Sequence, residues 1–142
     1  MASTEQVLQL LGQVELFEGL SKGDLKKIHG LSKELTFDAG QNVITQKGKG
    51  GRFYLVVEGE AVICINDEDE KPIGVGAYFG EMSLLDGEPR SATVRATTPL
   101  RTLTLASFNF RPLLLEHPTI TYKLLVALSR RVREREREPE AP

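Results

Sequence analysis

The sequence predicts a mainly β protein of the α+β class, with antiparallel β structure between helices at the two ends. Between residues 32 and 106, short apolar stretches alternate with turn residues at a spacing of roughly 8–12 residues. Helical periodicity is restricted to residues 3–31 and 107–138. Short strands at this spacing are typical of a closed antiparallel barrel or of two packed sheets. We therefore expect one domain that covers residues 1–142.

The composition is that of an ordinary globular protein. The chain has 142 residues, of which 40% are hydrophobic and 27% charged, and its formal net charge is −2. Because there is no basic excess, we expect no nucleic-acid partner. No apolar run reaches the length of about 18 residues that would predict membrane insertion. The single cysteine, Cys64, excludes an internal disulfide, and the start of the chain lacks a signal-peptide pattern, so we expect a cytoplasmic protein.

Two helices are predicted ahead of the strands. The first runs from Thr4 to Gly12 and has an apolar face. The second begins at Ser21, a favourable N-cap residue, and has Asp24 in its first turn, where a carboxylate interacts well with the helix dipole. A compact apolar turn at residues 16–20 separates the two helices. The sequence therefore predicts a helical pair joined by an apolar turn.

Further helices are predicted after the strands. One begins at Ser107 and is interrupted at His117, and Pro118 then suits the first turn of a last helix. Apolar residues recur at every fourth position of this helix and predict one buried stripe, which consists of Ile120, Leu124, Leu128 and Val132. From Arg130 onward the chain is nearly all charged, with arginine and glutamate alternating from residue 133 to 138, which predicts an exposed helix end that Pro139 terminates.

The β segment is predicted as a series of short strands. Residues 66–71 are polar and acidic and are predicted as a loop. The predicted strands lie at residues 35–37, 43–45, 53–57, 61–65, 73–75, 93–96 and 100–105.

The segment most informative about function is residues 79–96, FGEMSLLDGEPRSATVRA. A short helical stretch from Glu81 to Leu85 precedes a turn, and backbone N–H groups at a helix start favour an anion. The planar guanidinium of Arg90 suits a phosphate. The carboxylate of Glu81 accepts hydrogen bonds from hydroxyl groups. One carboxylate for sugar hydroxyls and one guanidinium for a phosphate are the pair that a cyclic nucleotide needs.

This segment resembles the phosphate-binding cassette of the cyclic nucleotide-binding domain family. That family includes the catabolite activator protein, regulatory subunits of cyclic-AMP-dependent kinase and cyclic-nucleotide-gated channels. The resemblance implies an antiparallel β-roll, or jelly roll, at residues 32–106, with the cassette at 79–92. It also implies that Glu81 binds the ribose 2′-hydroxyl, and that Arg90 and Ser91 bind the cyclic phosphate together with backbone N–H groups. Cyclic AMP is the expected ligand, and cyclic GMP is the second choice.

The resemblance further implies contacts to the base. We expect Val75 to line the base and the last helix to close over it as a lid. Either Arg130 or Arg131 would stack on the purine, and the spacing from Pro118 favours Arg131. The expected ligand contacts are Gly80, Glu81, Met82, Ser83, Arg90, Ser91, Val75 and Arg131.

The turn at residues 47–51 departs from the family pattern. The family usually has a glycine followed by an acid where this chain has Lys47 and Gly48, and it commonly has an acid where Gly51 stands. We expect this turn to lie away from the cassette, so that ligand binding is retained. Its glycines do not form a P-loop, because the lysine–hydroxyl ending of that motif is missing.

Two other functions stay open. One is a jelly-roll enzyme, but no predicted strand carries a histidine to bind a metal, and Ser83 and Ser91 have no histidine nearby in sequence. We therefore predict no enzymatic activity, no metal and no cofactor. The other is a scaffold or a regulatory domain of a larger protein that binds no nucleotide. The sequence is that of a stand-alone receptor or of a domain from a longer chain, with an effector that it does not identify.

The choice of base is the first testable prediction. In the family, a hydroxyl residue directly after the cassette arginine can help to accept guanine, but bacterial cyclic AMP receptors also carry serine at this position. We predict that cyclic AMP binds more tightly than cyclic GMP, by no more than about two decades, or roughly 2.7 kcal/mol. Isothermal titration with both nucleotides measures this difference. A dissociation constant for cyclic GMP below that for cyclic AMP would overturn the ranking.

Overall fold

The structure is a computed structural model that describes residues 3–88 and 92–137. The helices are α1 (Thr4–Gly12), α2 (Lys22–Leu31), α3 (Ser83–Asp86), α4 (Ser107–Glu116) and α5 (Pro118–Arg137), and a 3₁₀ turn spans Glu15–Phe17. The strands are β1 (Lys33–Phe37), β2 (Asn42–Ile44), β3 (Arg52–Glu58), β4 (Ala61–Ile65), β5 (Glu68–Ile73), β6 (Tyr78–Phe79), β7 (Thr93–Ala96) and β8 (Leu100–Ala106).

The strands form two antiparallel sheets. The first sheet has the order β1-β8-β3-β6, and the second has the order β2-β7-β4-β5. Helices precede and follow the strands in the chain, and they pack against the first sheet. This arrangement confirms the predicted mainly β roll with flanking helices.

Both N-terminal helices begin with a reciprocal cap. The Ser3 hydroxyl accepts from the Gln6 N–H, and the Gln6 side chain accepts from the Ser3 N–H. Ser21 and Asp24 form the same capping box at the start of α2. The orphan N–H groups of a helix start are satisfied in this way, which explains why the sequence located both starts correctly.

Strand β3 is buried on both of its faces. Phe53, Leu55 and Val57 belong to the core beneath the helices, whereas Val56 belongs to the core inside the roll. On the helix side, the Phe17 ring meets the Phe53 ring edge-on, with centroids 5.7 Å apart. The nearly continuous apolar run of this strand therefore reflects two cores that share one strand.

Residues 66–71 were predicted as a loop, and that prediction is wrong. Asn66 and Asp67 form a two-residue turn with φ values of 52° and 66°, and β5 then pairs with β4. Positive φ at both central residues is typical of a type I′ hairpin turn. β5 is polar because it lies at the edge of its sheet, where charged side chains prevent edge-to-edge association. The short strand β6 was also not predicted.

The apolar stripe of α5 differs from the prediction at its far end. Ile120 and Leu124 are buried and Leu128 is half-buried, but Val132 is 57% exposed. Each step of four residues advances about 40° around a helix of 3.6 residues per turn. After three such steps Val132 has rotated towards solvent, and Arg131 takes the inward position.

An ion pair anchors the first half of α5 to α2. Lys123 Nζ lies 2.9 Å from Asp24 Oδ2, and the Asp24 side chain is only 14% exposed. The hydrogen bond from Lys123 lowers the pKa of Asp24, and the bonds from Ser21 act in the same direction, against the opposing effect of burial. The same carboxylate thus caps α2 and binds α5.

Cys64 is a free cysteine that is buried on β4. Its sulfur lies 3.1 Å from Asp69 Oδ1, and Arg95 pairs with the same carboxylate at 3.1 Å. Burial and the neighbouring Asp69 together raise the pKa of the Cys64 thiol.

In the described part of the chain, no helix is both long and apolar enough to cross a membrane.

We predict that Asp24→Asn lowers the free energy of unfolding by about 1 kcal/mol at pH 7, the upper range for partly exposed ion pairs. The pKa of Asp24 is lower in the folded chain, so its contribution is present above the ordinary aspartate pKa. It is lost as the pH falls through the folded value. Urea unfolding at pH 7 and at about pH 3 measures both effects.

The exposed Lys22–Glu5 pair offers a control for this prediction. Both side chains are 59% exposed, so Glu5→Gln should change the stability by less than about 0.5 kcal/mol. Equal stability of Asp24→Asn and the wild type at pH 7 would show that the Lys123–Asp24 pair contributes nothing to the free energy of unfolding.

Candidate ligand-binding site

The segment after β6 makes a tight turn and one helical turn. Gly80 has φ +82°, α3 begins at Ser83, and Gly87 ends α3 with φ +69° in the left-handed region that favours glycine. The N–H of Leu84 donates to the carbonyl of Gly80 at 3.0 Å, and the Leu84 side chain is buried in the helix-side core. The burial of Leu84 therefore anchors this segment to the helix-side core.

A cavity of about 480 Å³ lies beside this segment. Its apolar wall comes from the second sheet and consists of Ile44 on β2, Ile63 and Ile65 on β4, and Val94 on β7. Its polar side comes from the cassette and includes Gly80, Glu81, Met82 and Ser83. A concave site with an apolar wall and a few convergent polar groups is typical of small-molecule binding.

Glu81 makes an ion pair with the last helix. Its side chain is 17% exposed, and its Oε1 lies 3.2 Å from Arg131 Nη2. The same Arg131 nitrogen lies 3.0 Å from Glu15 Oε2 in the 3₁₀ turn. The other guanidinium nitrogen of Arg131 donates to the Met82 sulfur at 3.0 Å. One arginine of α5 thus joins the cassette to the N-terminal part of the chain.

The charge of Arg131 is stabilised at this position. Burial by itself would lower the pKa of the guanidinium, but the bonds and charges of Glu15 and Glu81 outweigh it, so the pKa lies above its ordinary value. Two carboxylates face one cation whose side chain is 18% exposed. The α5 helix therefore brings a fixed positive charge to the edge of the cavity.

The 3₁₀ turn is also bonded to the strand that leads into the cassette. The backbone N–H of Glu15 donates to the Tyr78 hydroxyl at 3.3 Å. On the next residue, the Phe79 ring stacks on the Tyr54 ring with centroids 5.2 Å apart. Because Glu15 bonds both Tyr78 and Arg131, the turn, β6 and α5 meet at one junction.

The structure brings together five of the eight residues predicted to contact a ligand. Gly80, Glu81, Met82 and Ser83 line the cavity, and Arg131 contacts two of them. Arg90 and Ser91 lie outside the described residues.

Val75 does not lie with the others. It is 61% exposed in the turn between β5 and β6, beside Gln6 and Leu10 of α1. The N–H of Ala77 bonds the carbonyl of Gly74 in this turn, and Val75 does not line the cavity beside the cassette. The apolar wall comes from β2, β4 and β7 instead. Alternation along β4, where Ile63 and Ile65 face the cavity, is the signal that could have identified it.

The turn at residues 47–51 also differs from its prediction, since it does not lie away from the cassette. The N–H of Gly51 donates to the Ser83 hydroxyl at 2.6 Å. Glu15 is the other contributor that sequence reasoning missed. Its partner Arg131 lies far along the chain, so no local pattern could have revealed the contact.

Within residues 3–88 and 92–137, no three His, Cys, Asp or Glu side chains are grouped closely enough to hold a metal ion.

Comparison with known proteins identifies the family. The family model of the cyclic nucleotide-binding domain matches residues 34–117, which include the cassette and most of the roll. The chain therefore belongs to the cyclic nucleotide-binding domain family.

Individual relatives agree with this result. A cyclic nucleotide-gated potassium channel of Mesorhizobium japonicum is 38% identical over 112 residues, which are 79% of this chain and 31% of the channel. A cAMP-dependent protein kinase regulatory subunit of Eremothecium gossypii is 38% identical over 110 residues, 73% of this chain and 23% of that subunit. This chain thus spans less than a third of either relative.

A solved structure shows the same fold along most of the chain. The N-terminal domain of a transcriptional regulator from Streptomyces coelicolor A3(2) superposes with a TM-score of 0.82 at 28% identity. The match covers 89% of this chain and 92% of that domain.

Proposed function

We propose that this chain binds a 3′,5′-cyclic nucleotide, with cyclic AMP preferred, and that it acts as a sensing module and not as an enzyme. The observation that carries the proposal is the cavity in which Glu81 and the cassette face an apolar wall of three strands. Membership of the cyclic nucleotide-binding family supports the same ligand. The catalytic alternative has less support, because the cavity brings together no nucleophile–base pair among the described residues.

The ribose is assigned to Glu81. An ionised carboxylate only accepts hydrogen bonds, and a ribose 2′-hydroxyl can donate one. The Glu81 side chain lines the cavity and is mostly buried, so a bond made there is shielded from water. Arg131 holds one carboxylate oxygen of Glu81, which orients the group towards the ligand.

The cyclic phosphate is assigned to Arg90 and Ser91. A guanidinium and a hydroxyl provide the donors that a phosphodiester requires. Both residues lie outside the described part of the chain, so the assignment rests on the cassette sequence and on the family. Glu88 and Ala92, which flank them in sequence, both line the cavity, and this supports the assignment.

The base is assigned to the apolar wall. Ile65 and Met82 both line the cavity and are each 41% exposed. Covering this surface with a purine ring would remove apolar area from water, which is favourable by roughly 25 cal/mol per Å². Since the burial of apolar area does not distinguish adenine from guanine, polar contacts at the cavity edge must determine which base is preferred.

The output is assigned to α5. A ligand shifts a helix only if it binds one helix position better than another. Glu81 is shared between the proposed ribose site and Arg131 of α5, so occupancy of the site changes the partners available to the helix. In its relatives the same domain is part of a channel or of a kinase subunit. We propose that α5 passes the signal to an effector protein or to the remainder of a longer chain.

Loss of the phosphate contact provides the direct test. We predict that Arg90→Ala abolishes measurable cyclic AMP binding, because truncating one partner of a desolvated charge pair costs about 2–5 kcal/mol. That cost corresponds to roughly 30- to several-thousand-fold in affinity. The thermal midpoint without ligand should change little. Isothermal titration provides the measurement.

The exposed Arg111 on α4 supplies a matched control, and Arg111→Ala should bind like the wild type. Arg90→Ala binding within a factor of three of the wild type would contradict the phosphate assignment. A wild-type chain that binds neither nucleotide would instead support the scaffold alternative.

Removal of the lid arginine tests the output. We predict that nucleotide slows amide exchange in residues 120–132, and that Arg131→Ala weakens binding by about 0.5–2 kcal/mol, the range for such arginine contacts. Its neighbour Arg130 is exposed and is the matched control. Hydrogen-exchange mass spectrometry with and without saturating cyclic AMP measures the first effect, and titration measures the second. Unchanged exchange in α5 at saturation would exclude a role for this helix as the moving element.

A further inference from the structure

Ser83 lines the cavity, but its hydroxyl is bonded to the protein on both its donor and its acceptor side. Its hydroxyl accepts from the Gly51 N–H at 2.6 Å and donates to the Glu88 carbonyl at 3.0 Å. A serine hydroxyl has a single proton to donate, and here the Glu88 carbonyl takes it. The residue is buried, with an exposed fraction of 9%. The hydroxyl therefore has no proton left to donate to a ligand.

The other half of this contact is the Gly50–Gly51 turn. A methyl group on Gly50 would overlap both the Glu88 carbonyl oxygen and the Ser83 hydroxyl. Glycine is thus required at position 50 for space. Gly51 has φ +94°, and its carbonyl accepts from the Ser107 N–H at 2.8 Å. Because the next residue begins β3, the turn is a fixed support for the cassette.

The contact fixes the last described residue ahead of the proposed phosphate-binding pair. Glu88 stands two positions before Arg90 in the sequence. Its N–H donates to the Asp86 side chain at 2.9 Å, and its carbonyl accepts from Ser83. Both backbone groups of Glu88 are therefore held. A chain that is already ordered loses less conformational entropy when it closes on a ligand.

We propose that Ser83 is a positioning residue for nucleotide binding: its hydroxyl docks the cassette on the Gly50–Gly51 turn and holds the backbone of Glu88, which stands two positions before Arg90 in the sequence. This inference rests on the proposed function, because the role is defined by cyclic nucleotide affinity. It also gives the unusual glycine-rich turn a role that the sequence did not indicate. Ser83 acts through the backbone of Glu88 and makes no side-chain contact with the ligand.

The chain contains the same hydrogen-bond arrangement, a hydroxyl between a backbone N–H and a carbonyl beside a glycine, at a second turn. The Thr98 hydroxyl accepts from the Glu60 N–H at 2.9 Å and donates to the Pro99 carbonyl at 3.0 Å. The neighbouring Gly59 has no room for a methyl group beside that carbonyl. None of these residues lines the cavity. Thr98 therefore provides a control hydroxyl away from the proposed site, with the same pattern of bonds but more exposed to solvent than Ser83.

The test compares Ser83→Ala with Thr98→Ala. Both variants lose a hydroxyl that accepts from one backbone N–H and donates to one carbonyl, so both should lower the thermal midpoint. Ser83→Ala should lower it by more, because the Ser83 bonds are shielded from water. Isothermal titration with cyclic AMP should give one site in each variant. We expect Ser83→Ala to bind about 5- to 100-fold more weakly than the wild type, because the cassette that Ser83 no longer holds must then be ordered when the ligand binds. Thr98→Ala should stay within about twofold.

A second pair of variants tests the turn itself. Gly50→Ala should also weaken cyclic AMP binding, because its methyl group displaces Ser83 and Glu88. Gly30→Ala is the control, since a methyl group at that position meets nothing within 4 Å. Amide exchange at residues 84–88 without ligand should be faster in Ser83→Ala than in the wild type, and unchanged in Thr98→Ala.

The outcomes separate the two proposals. A wild-type chain that binds no cyclic nucleotide overturns the proposed function, and the positioning role with it. Wild-type binding together with Ser83→Ala binding within twofold overturns the positioning role alone. Equal losses of affinity in Ser83→Ala and Thr98→Ala would show a general effect of stability and would also overturn it.

Discussion

The site depends on strand β3, which is packed on both faces and cannot shift without disturbing two cores. Phe53, Leu55 and Val57 hold it against the helices, and Val56 holds it inside the roll. Interiors as dense as this transmit displacement instead of absorbing it. The cassette is attached to this strand twice, through the pairing of Tyr54 with Phe79 and through the turn that precedes Arg52. The first part of the cassette, from Phe79 to Ser83, is thus fixed to a strand that is packed on both faces.

The helices, by contrast, hold the site through a few polar contacts. Beyond Leu128 the inward face of α5 is no longer apolar, and Arg131 faces two carboxylates there. Such contacts break at a lower cost than a packed apolar face, so the second half of α5 is less firmly held than the first. The Lys123–Asp24 pair lies in the first half, next in sequence to the buried Leu124. The strands therefore form the firmly packed part of the site, and the second half of α5 forms the part that is held by polar contacts.

The sequence predicted those helices and strands that are determined by interactions between residues close together in the chain. The Ser21–Asp24 cap located α2, and the apolar run of residues 53–57 located β3. β5 was missed because an edge strand with a polar exterior resembles a loop, although Asn66 and Asp67 at its turn are residue types that tolerate positive φ.

The candidate site could be predicted only where its residues follow one another in the sequence. The cassette itself was recognised from its ordered string of residues, and Gly80 to Ser83 do line one cavity. The contacts of Glu15 with Arg131 and of Gly51 with Ser83 join segments that are distant in sequence, and composition or periodicity does not record such pairs. Val75 was misplaced for a related reason, because the direction of a side chain in a turn depends on the hydrogen bonds of that turn.

The burial of Cys64 has a practical consequence for spectroscopy. The thiol lies beneath the Arg95–Asp69 pair, and its raised pKa leaves little of the reactive thiolate at neutral pH. The native protein therefore carries no readily labelled sulfur among its described residues. A cysteine introduced at an exposed position of α5, such as Leu125, would accept a fluorophore or spin label selectively, with Cys64 left in place. A label on α5 can therefore report on the helix without prior replacement of Cys64.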